Sequence, residues 1–330
     1  MSRQGTAAFD RTTDFGAAIG TAKVKLFVTA GGDFSGRLTW LRLGQLNVLR
    51  AQENLPRIGV IALPPKQAVI SFPVGRWSSV VYSGFCVQSG TILFHGVAEL
   101  MHQRTNDASI WGLISLPLDL LARHSKALTG QSITPPIEGR VIRPARDTAK
   151  ALLGLCSKAW RLAETRRDLV AKPEVARALE QEFVRVLIDC LAAGDVDVSK
   201  RRRRHTDIMV RFEKALVSRS APVLDLLELC RAIDVPERTL RLCCTEVLGM
   251  GPVKYYQLRR LNMVRSALQR ASPETASVAA IARDHYFLEL GRFAVAYRTL
   301  FGETPSSTLR RASTHPLSSN CNDATSCCPD

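Results

Sequence analysis

The chain has 330 residues, 46% of them hydrophobic and 6% aromatic, with 45 Lys and Arg against 30 Asp and Glu for a net charge of +15. That length accommodates two domains with separate cores, and the basic balance suits either a polyanionic partner or a simply soluble surface. There is no apolar run of membrane-spanning length, no apolar signal-peptide core in the first ten residues and no paired Cys-x-x-Cys framework among the nine cysteines, so the sequence predicts a cytoplasmic protein with reduced thiols.

In chain order, residues 1–20 are polar and rich in small side chains, which predicts a loose N-terminus. Residues 21–111 change character. Runs rich in Val, Ile, Leu and Phe at 23–29, 38–49, 58–63, 69–72, 80–88 and 91–94 are punctuated by Gly, Pro, Asn and Asp at the spacing of an antiparallel sandwich or small barrel. Cys86, inside one of these runs, is read as a core residue. From Ile114 the pattern turns helical, with a short helix near 117–126, a proline-containing connection at 133–144 and longer helices at 145–163 and 173–193. Val175, Leu179, Phe183, Val186, Leu187 and Leu191 form an apolar stripe on the last of these. Such helices either cover the β-region or pair across a two-fold axis, and the homodimer is favoured because paired half-sites are common targets.

Residues 194–206 read as an interdomain linker carrying Lys200, Arg201, Arg202, Arg203 and Arg204. Five consecutive cations either repel one another in water or touch backbone phosphates. A short amphipathic segment at 223–233 follows, and only Asp234 and Val235 separate it from a second helix at 236–248. In that second helix Leu240, Cys243, Cys244 and Leu248 share one face, while Arg238, Arg241 and Thr245 share another. Two short helices on so tight a turn predict a helix-turn-helix, whose second helix enters the DNA major groove.

The pattern recurs after one long helix, 253–270, whose Leu258, Leu261, Val264 and Leu268 point inward, with Arg259, Arg260 and Arg265 off the stripe. Val278, Ile281 and Ala282 open another amphipathic turn. His285 and Tyr286 occupy the turn region, and 289–301 forms a helix with Phe293, Tyr297, Leu300 and Phe301 inward. Arg292 is placed at the early position matching the arginines of the first unit. Residues 200–311 hold 21 Lys and Arg against 11 Asp and Glu, nearly two-thirds of the chain's excess positive charge. Residues 312–330 are polar, without periodicity, and read as a disordered tail.

The motifs RTL at 238–240, LGMGP at 248–252 and RFAVAYRTLFGETPSSTLR at 292–310 resemble the AraC/XylS family of bacterial transcription regulators. The resemblance covers residues 206–311 and implies two helix-turn-helix units joined by a linker helix. Two departures stand out. Tyr286 occupies a turn position where many members have Gly, and a bulky residue at positive φ is strained. Leu242, Cys243 and Cys244 follow Arg241 where the family often has Arg-Leu-Phe.

The resemblance implies an α+β chain: an N-terminal β-rich effector-binding or dimerisation domain (21–193, a cupin-like barrel or sandwich with trailing helices), a basic linker (194–206) and an all-α double helix-turn-helix domain (207–311). It implies a sequence-specific DNA-binding regulator, with double-stranded DNA as partner, a small-molecule effector, RNA polymerase if it activates, and activation favoured. Candidate DNA-facing residues are Arg238, Thr239, Arg241 and Thr245 on the first recognition helix, and Glu289, Leu290, Arg292 and Arg298 on the second. The alternative is a cupin-like metal enzyme fused to a DNA-targeting domain. His95, His102 and His124 are too scattered for the local cupin ligand signature, so no catalytic residue, metal or cofactor is assigned.

Overall fold

The structure is a computed structural model that describes residues 4–75, 80–192, 194–197, 200–218 and 225–311, with the side chains of 195–204 and 218 left aside. The β-rich half contributes two antiparallel sheets. The larger runs in the order β1 (Gln4–Phe9), β3 (Gly36–Leu43), β4 (Leu46–Glu53), β11 (Ser109–Pro117), β6 (Gln67–Pro73), β9 (Ile92–Phe94), β12 (Arg140–Arg143) and β13 (Asp195–Asp197). The smaller runs β2 (Lys23–Val28), β5 (Arg57–Ala62), β10 (Leu100–Thr105), β7 (Val80–Tyr82) and β8 (Phe85–Val87). Of the two architectures left open by the sequence, the open two-sheet form is the one found, and the sheets do not close into a barrel.

Both faces of the larger sheet are buried, which explains the nearly continuous apolar runs. On β4, Leu49 and Ala51 face the smaller sheet, while Leu46 and Val48 face a layer of helices. That layer comprises α2 (Leu118–Thr129), α3 (Arg146–Thr165), α4 (Arg167–Val170) and α5 (Pro173–Ala192). Its Leu152, Cys156, Trp160, Phe183 and Leu187 close the second core. The smaller sheet is likewise two-sided. Leu26 and Val28 on β2 point to the intersheet core, whereas Phe27, with Ile58 and Val60 of β5, points outward into a third cluster built with the C-terminal helices.

Those helices are α6 (Lys200–Ser218), α7 (Leu226–Ala232), α8 (Glu237–Leu248), α9 (Pro252–Arg270), α10 (Val278–Asp284), α11 (Leu290–Phe301) and α12 (Pro305–Arg311). They pack onto the smaller sheet. Val28 N–H donates to Asn262 Oδ1 at 2.9 Å, Arg265 Nη2 donates to Gly32 O at 3.1 Å, and Phe27 meets Tyr255 edge to face.

Several sequence expectations are corrected here. The supposedly loose start forms β1 and α1 (Thr12–Ala18), because β1 pairs along β3 from Gln4↔Leu41 to Phe9↔Gly36 and Phe15 is fully buried. The run 38–49 is a hairpin, since Gly44, at φ +54°, turns the chain in a two-residue loop between Leu43 and Leu46. The run 80–88 is a second hairpin, turned by Ser83 and Gly84 at φ +43° and +89°. Residues 109–117, assigned partly to helix, form β11 at the centre of the larger sheet. Cys86 is exposed on edge strand β8 rather than in the core. Lys200, Arg201, Arg202, Arg203 and Arg204 belong to the first turns of α6, not to an extended linker; their side chains lie outside the described residues.

Candidate nucleic-acid interface

Each helix-turn-helix unit begins at a side-chain cap. Asp225 Oδ1 accepts the Glu228 N–H at 2.9 Å to start α7, and Ser277 Oγ accepts the Ala280 N–H at 3.4 Å to start α10. Both turns use one residue in the left-handed region, Asp234 at φ +51° and Tyr286 at φ +63°. For an aspartate this is tolerable, whereas for tyrosine it costs about 1–2 kcal/mol. The strain anticipated for Tyr286 is therefore present, and Arg260 holds it in place. From α9 its guanidinium donates to His285 O at 2.9 Å and to Tyr286 O, and lies 4.2 Å from the Phe287 ring centroid. Burial lowers the His285 pKa from its ordinary value.

The connecting helix is more charged inside than its pattern suggested. Arg259 and Arg265 were read as off the buried stripe, yet they are 8% and 7% exposed. Arg259 donates to Glu213 of α6, which also accepts from Tyr255 Oη at 2.6 Å and lies 2.9 Å from His102 Nε2 on β10. Arg265 pairs with Glu303 at 3.1 Å and lies 4.6 Å from the Phe301 ring centroid. Such partners lie far away in sequence, so no local spacing could have found them. Two of the β-half histidines are also committed: His102 to Glu213, and His95 to Ser71 Oγ at 2.7 Å. Among the described residues no three His, Cys, Asp or Glu side chains are grouped to hold a metal ion.

The two recognition helices, α8 and α11, end alike in a left-handed glycine, Gly249 and Gly302 at φ +74° and +73°. Leu240, Cys243, Cys244, Val247 and Leu248 are buried on α8, and Phe293, Tyr297 and Phe301 are buried on α11 with Ala296 and Leu300 half-buried. These patterns superimpose at an offset of 53 positions, as do the capping glycines. Arg238, Thr239, Arg241, Leu242 and Thr245 therefore correspond to Gly291, Arg292, Ala294, Val295 and Arg298.

On α8, Arg238, Arg241 and Thr245 are exposed and Thr239 is half-buried. Arg241 pairs with Glu237 at 2.6 Å, and the Thr245 hydroxyl donates to Arg241 O at 2.8 Å. The exposed ion pair contributes only about 0.2–1 kcal/mol, so exchanging it for a phosphate or a base costs little. On α11, Glu289 is the N-cap residue and pairs with Arg292 at 3.0 Å, and Arg292 and Arg298 are exposed.

Two placements differ from the sequence reading. Leu290 is half-buried and packs against the cluster that includes Ala282 and Phe293, so it is a support rather than an outward residue. Arg292 matches Thr239 and not Arg238 or Arg241, because the turn before α11 is one residue longer than the turn before α8. Outward Leu242, Leu288 and Val295 were missed; aligning the Leu-Gly and Phe-Gly helix ends would have paired Leu242 with Val295.

Two short helix pairs hung on one connecting helix, each with a solvent-facing second helix, define a tandem helix-turn-helix domain. The matching family model agrees with that geometry. A family described as "Helix-turn-helix domain" matches residues 229–311. The XylDLEGF operon transcriptional activator 2 of Pseudomonas putida is 39% identical over 101 residues, 31% of this chain and 62% of that protein. A probable thc operon regulatory protein of Rhodococcus erythropolis is 34% identical over 87 residues, 26% of each protein. The chain spans less than two-thirds of the length of these relatives. Among solved structures, the AraC-like transcriptional activator CuxR aligns with 84% of this chain and 99% of its own, at 15% identity and a TM-score of 0.43. The C-terminal third of this chain is an AraC/XylS-type helix-turn-helix domain.

Proposed function

We propose that the protein is a sequence-specific DNA-binding transcription regulator, an effector-responsive activator, with residues 207–311 binding double-stranded DNA and residues 21–193 binding effector or a second copy. The observation that carries this reading is the exposed outer face of α8, with Arg238 and Arg241 one turn apart, repeated by a second solvent-facing helix on the same scaffold. Affinity would come from phosphate contacts and counterion release, and specificity from the two helices in successive major-groove segments. Arginine in such a position pairs with guanine O6 and N7.

The effector reading has a candidate cavity of its own. A cleft of about 830 Å³ opens at one end of the two sheets, between Lys23, Trp40, Arg42, Asn47, Gln67 and Ser115. That is a small-molecule size, with apolar walls and a few convergent polar groups. RNA polymerase is a partner if the protein activates, and a homodimer would serve paired half-sites. The two curated relatives are named as an operon activator and an operon regulatory protein, which supports regulation over catalysis. No helix among the described residues is long and apolar enough to cross a membrane.

The test is selection of bound sites from random duplexes with the full chain. Arg238→Ala or Arg241→Ala should each lose about 1–3 kcal/mol of binding and relax one base position in one half of the site. Failure of the unmodified chain to bind any duplex at low salt would overturn the reading.

A further inference from the structure

The two recognition helices present different chemistry at equivalent positions. Where α8 offers Arg238 and Arg241, α11 offers Gly291 and Ala294. An added Cβ at Gly291 would meet nothing within 4 Å, so a partner can come close to the backbone there. The outward line of α11 runs through Arg292, Val295 and Thr299, at helical spacings of three and four, and Leu288 stands in the turn just before the helix. Leu288 is 70% exposed and Val295 68%, among the most exposed large aliphatic side chains of the described residues. Arg292 is drawn toward Glu289, and Arg298 lies on the flank of the helix.

Two aliphatic side chains are too few to make a protein interface, which buries several hundred Å² on each side. Two exposed aliphatic side chains interleaved with Arg292 and Arg298 instead match a duplex groove, where phosphates border a floor whose apolar feature is the thymine C5-methyl group. Resting on the DNA-binding reading above, we infer that α11 reads its half of the site mainly through thymine methyl groups, with Val295 and Leu288 as specificity-determining residues. By contrast α8 reads guanine through arginine. The operator would then be chemically asymmetric, guanine-dependent on one side and thymine-dependent about one helical turn away.

Exchanging thymine for uracil removes only the methyl group and leaves every hydrogen-bonding group of the base pair in place. The full chain is titrated against its selected duplex, with each thymine of the α11 half replaced singly by uracil. At one or two positions binding should weaken about fourfold, the value of one buried methyl group. Val295→Ala or Leu288→Ala should bind the thymine duplex more weakly and lose discrimination at one of those positions, with unchanged circular dichroism because both side chains are exposed. Arg238→Ala should keep the thymine dependence of the α11 half while relaxing the other. Specific binding that is indifferent to uracil throughout the α11 half overturns the inference and leaves DNA binding intact, as does full thymine dependence retained by both alanine variants. Absence of any specific duplex overturns the DNA-binding reading itself, and this one with it.

Discussion

Glu213→Gln tests the junction between the smaller sheet and the helix-turn-helix domain. Glu213 is 3% exposed and meets His102 from β10, Tyr255 and Arg259 from α9. Burial by itself raises a carboxyl pKa. Here the hydrogen bond and charge of His102, the charge of Arg259 and the Tyr255 hydroxyl outweigh it, bringing Glu213 from the usual 4.5 down to about 2. Because the folded pKa lies below the unfolded one, ionised Glu213 stabilises the fold fully above pH 4.5, and that contribution is lost as pH falls toward 2. The gap corresponds to about 3 kcal/mol at neutral pH, of which roughly 1 kcal/mol is gone by pH 3.5. A second route gives a similar size: glutamine leaves Arg259 buried without its counter-charge, a loss of about 3–5 kcal/mol in comparable sites. Urea unfolding of wild type and variant at pH 7 and pH 3.5 should therefore show a stability difference of about 3 kcal/mol that narrows to about 2. A difference under about 1 kcal/mol at pH 7, or one independent of pH, would refute the claim that this carboxylate holds the two halves together.

Two other outcomes follow from single features. Tyr286→Gly removes a side chain that is 37% exposed from a residue at φ +63°, and should raise the thermal midpoint, since the strain relieved is about 1 kcal/mol or more; a lowered midpoint would mean that the ring's contacts outweigh its backbone strain. Replacing Lys200, Arg201, Arg202, Arg203 and Arg204 by Gln should weaken binding to all duplexes alike and reduce the log–log salt slope by about one unit per lost phosphate contact, whereas an unchanged slope returns the run to a solvated role.

What was legible in the sequence was local. Caps, left-handed glycines and apolar spacing are written within ten or so residues, and α8, α9 and α11 fall within a residue or two of their expected ends. The strands were legible as apolar runs but not as separate elements. Sheets buried on both faces lose the alternation that marks individual strands, and hairpin turns as short as Gly44-Gln45 leave little polar punctuation. The inward arginines of α9 were illegible for a different reason. Arg265 looks solvent-bound until Glu303 and Gly32 are beside it, the latter 233 positions away in sequence. The outward set was half legible: the exposure of Arg238 and Arg241 follows from helical spacing, but the one-residue difference between the two turns shifted the register of α11 and hid Val295.

The cores also do not divide where composition does. Phe27, Ile58 and Val60 belong to the same cluster as Leu240, Cys243 and Tyr255, and Leu261, Phe293 and Tyr297 share a cluster with Leu49 and Trp111. The contacts fall at one end of each recognition helix. Arg104 lies against Gly249, Gly84 against Val247, and Gly31 against Phe301 and Gly302, so the sheet side grips the C-terminal ends of α8 and α11. Arg238, Arg241, Leu288 and Arg292, at the opposite ends, stay exposed. A grip at one end leaves these exposed residues free while fixing the angle at which they are presented. Displacing β2 or β10 would disturb Asn262, Arg259 and Glu213 first, and these sit on or against α9, the helix that joins both units. In this arrangement a shift of the β-half would reach α8 and α11 through their spacing and tilt, because the sheet side meets α9 and the C-terminal ends of the two helices.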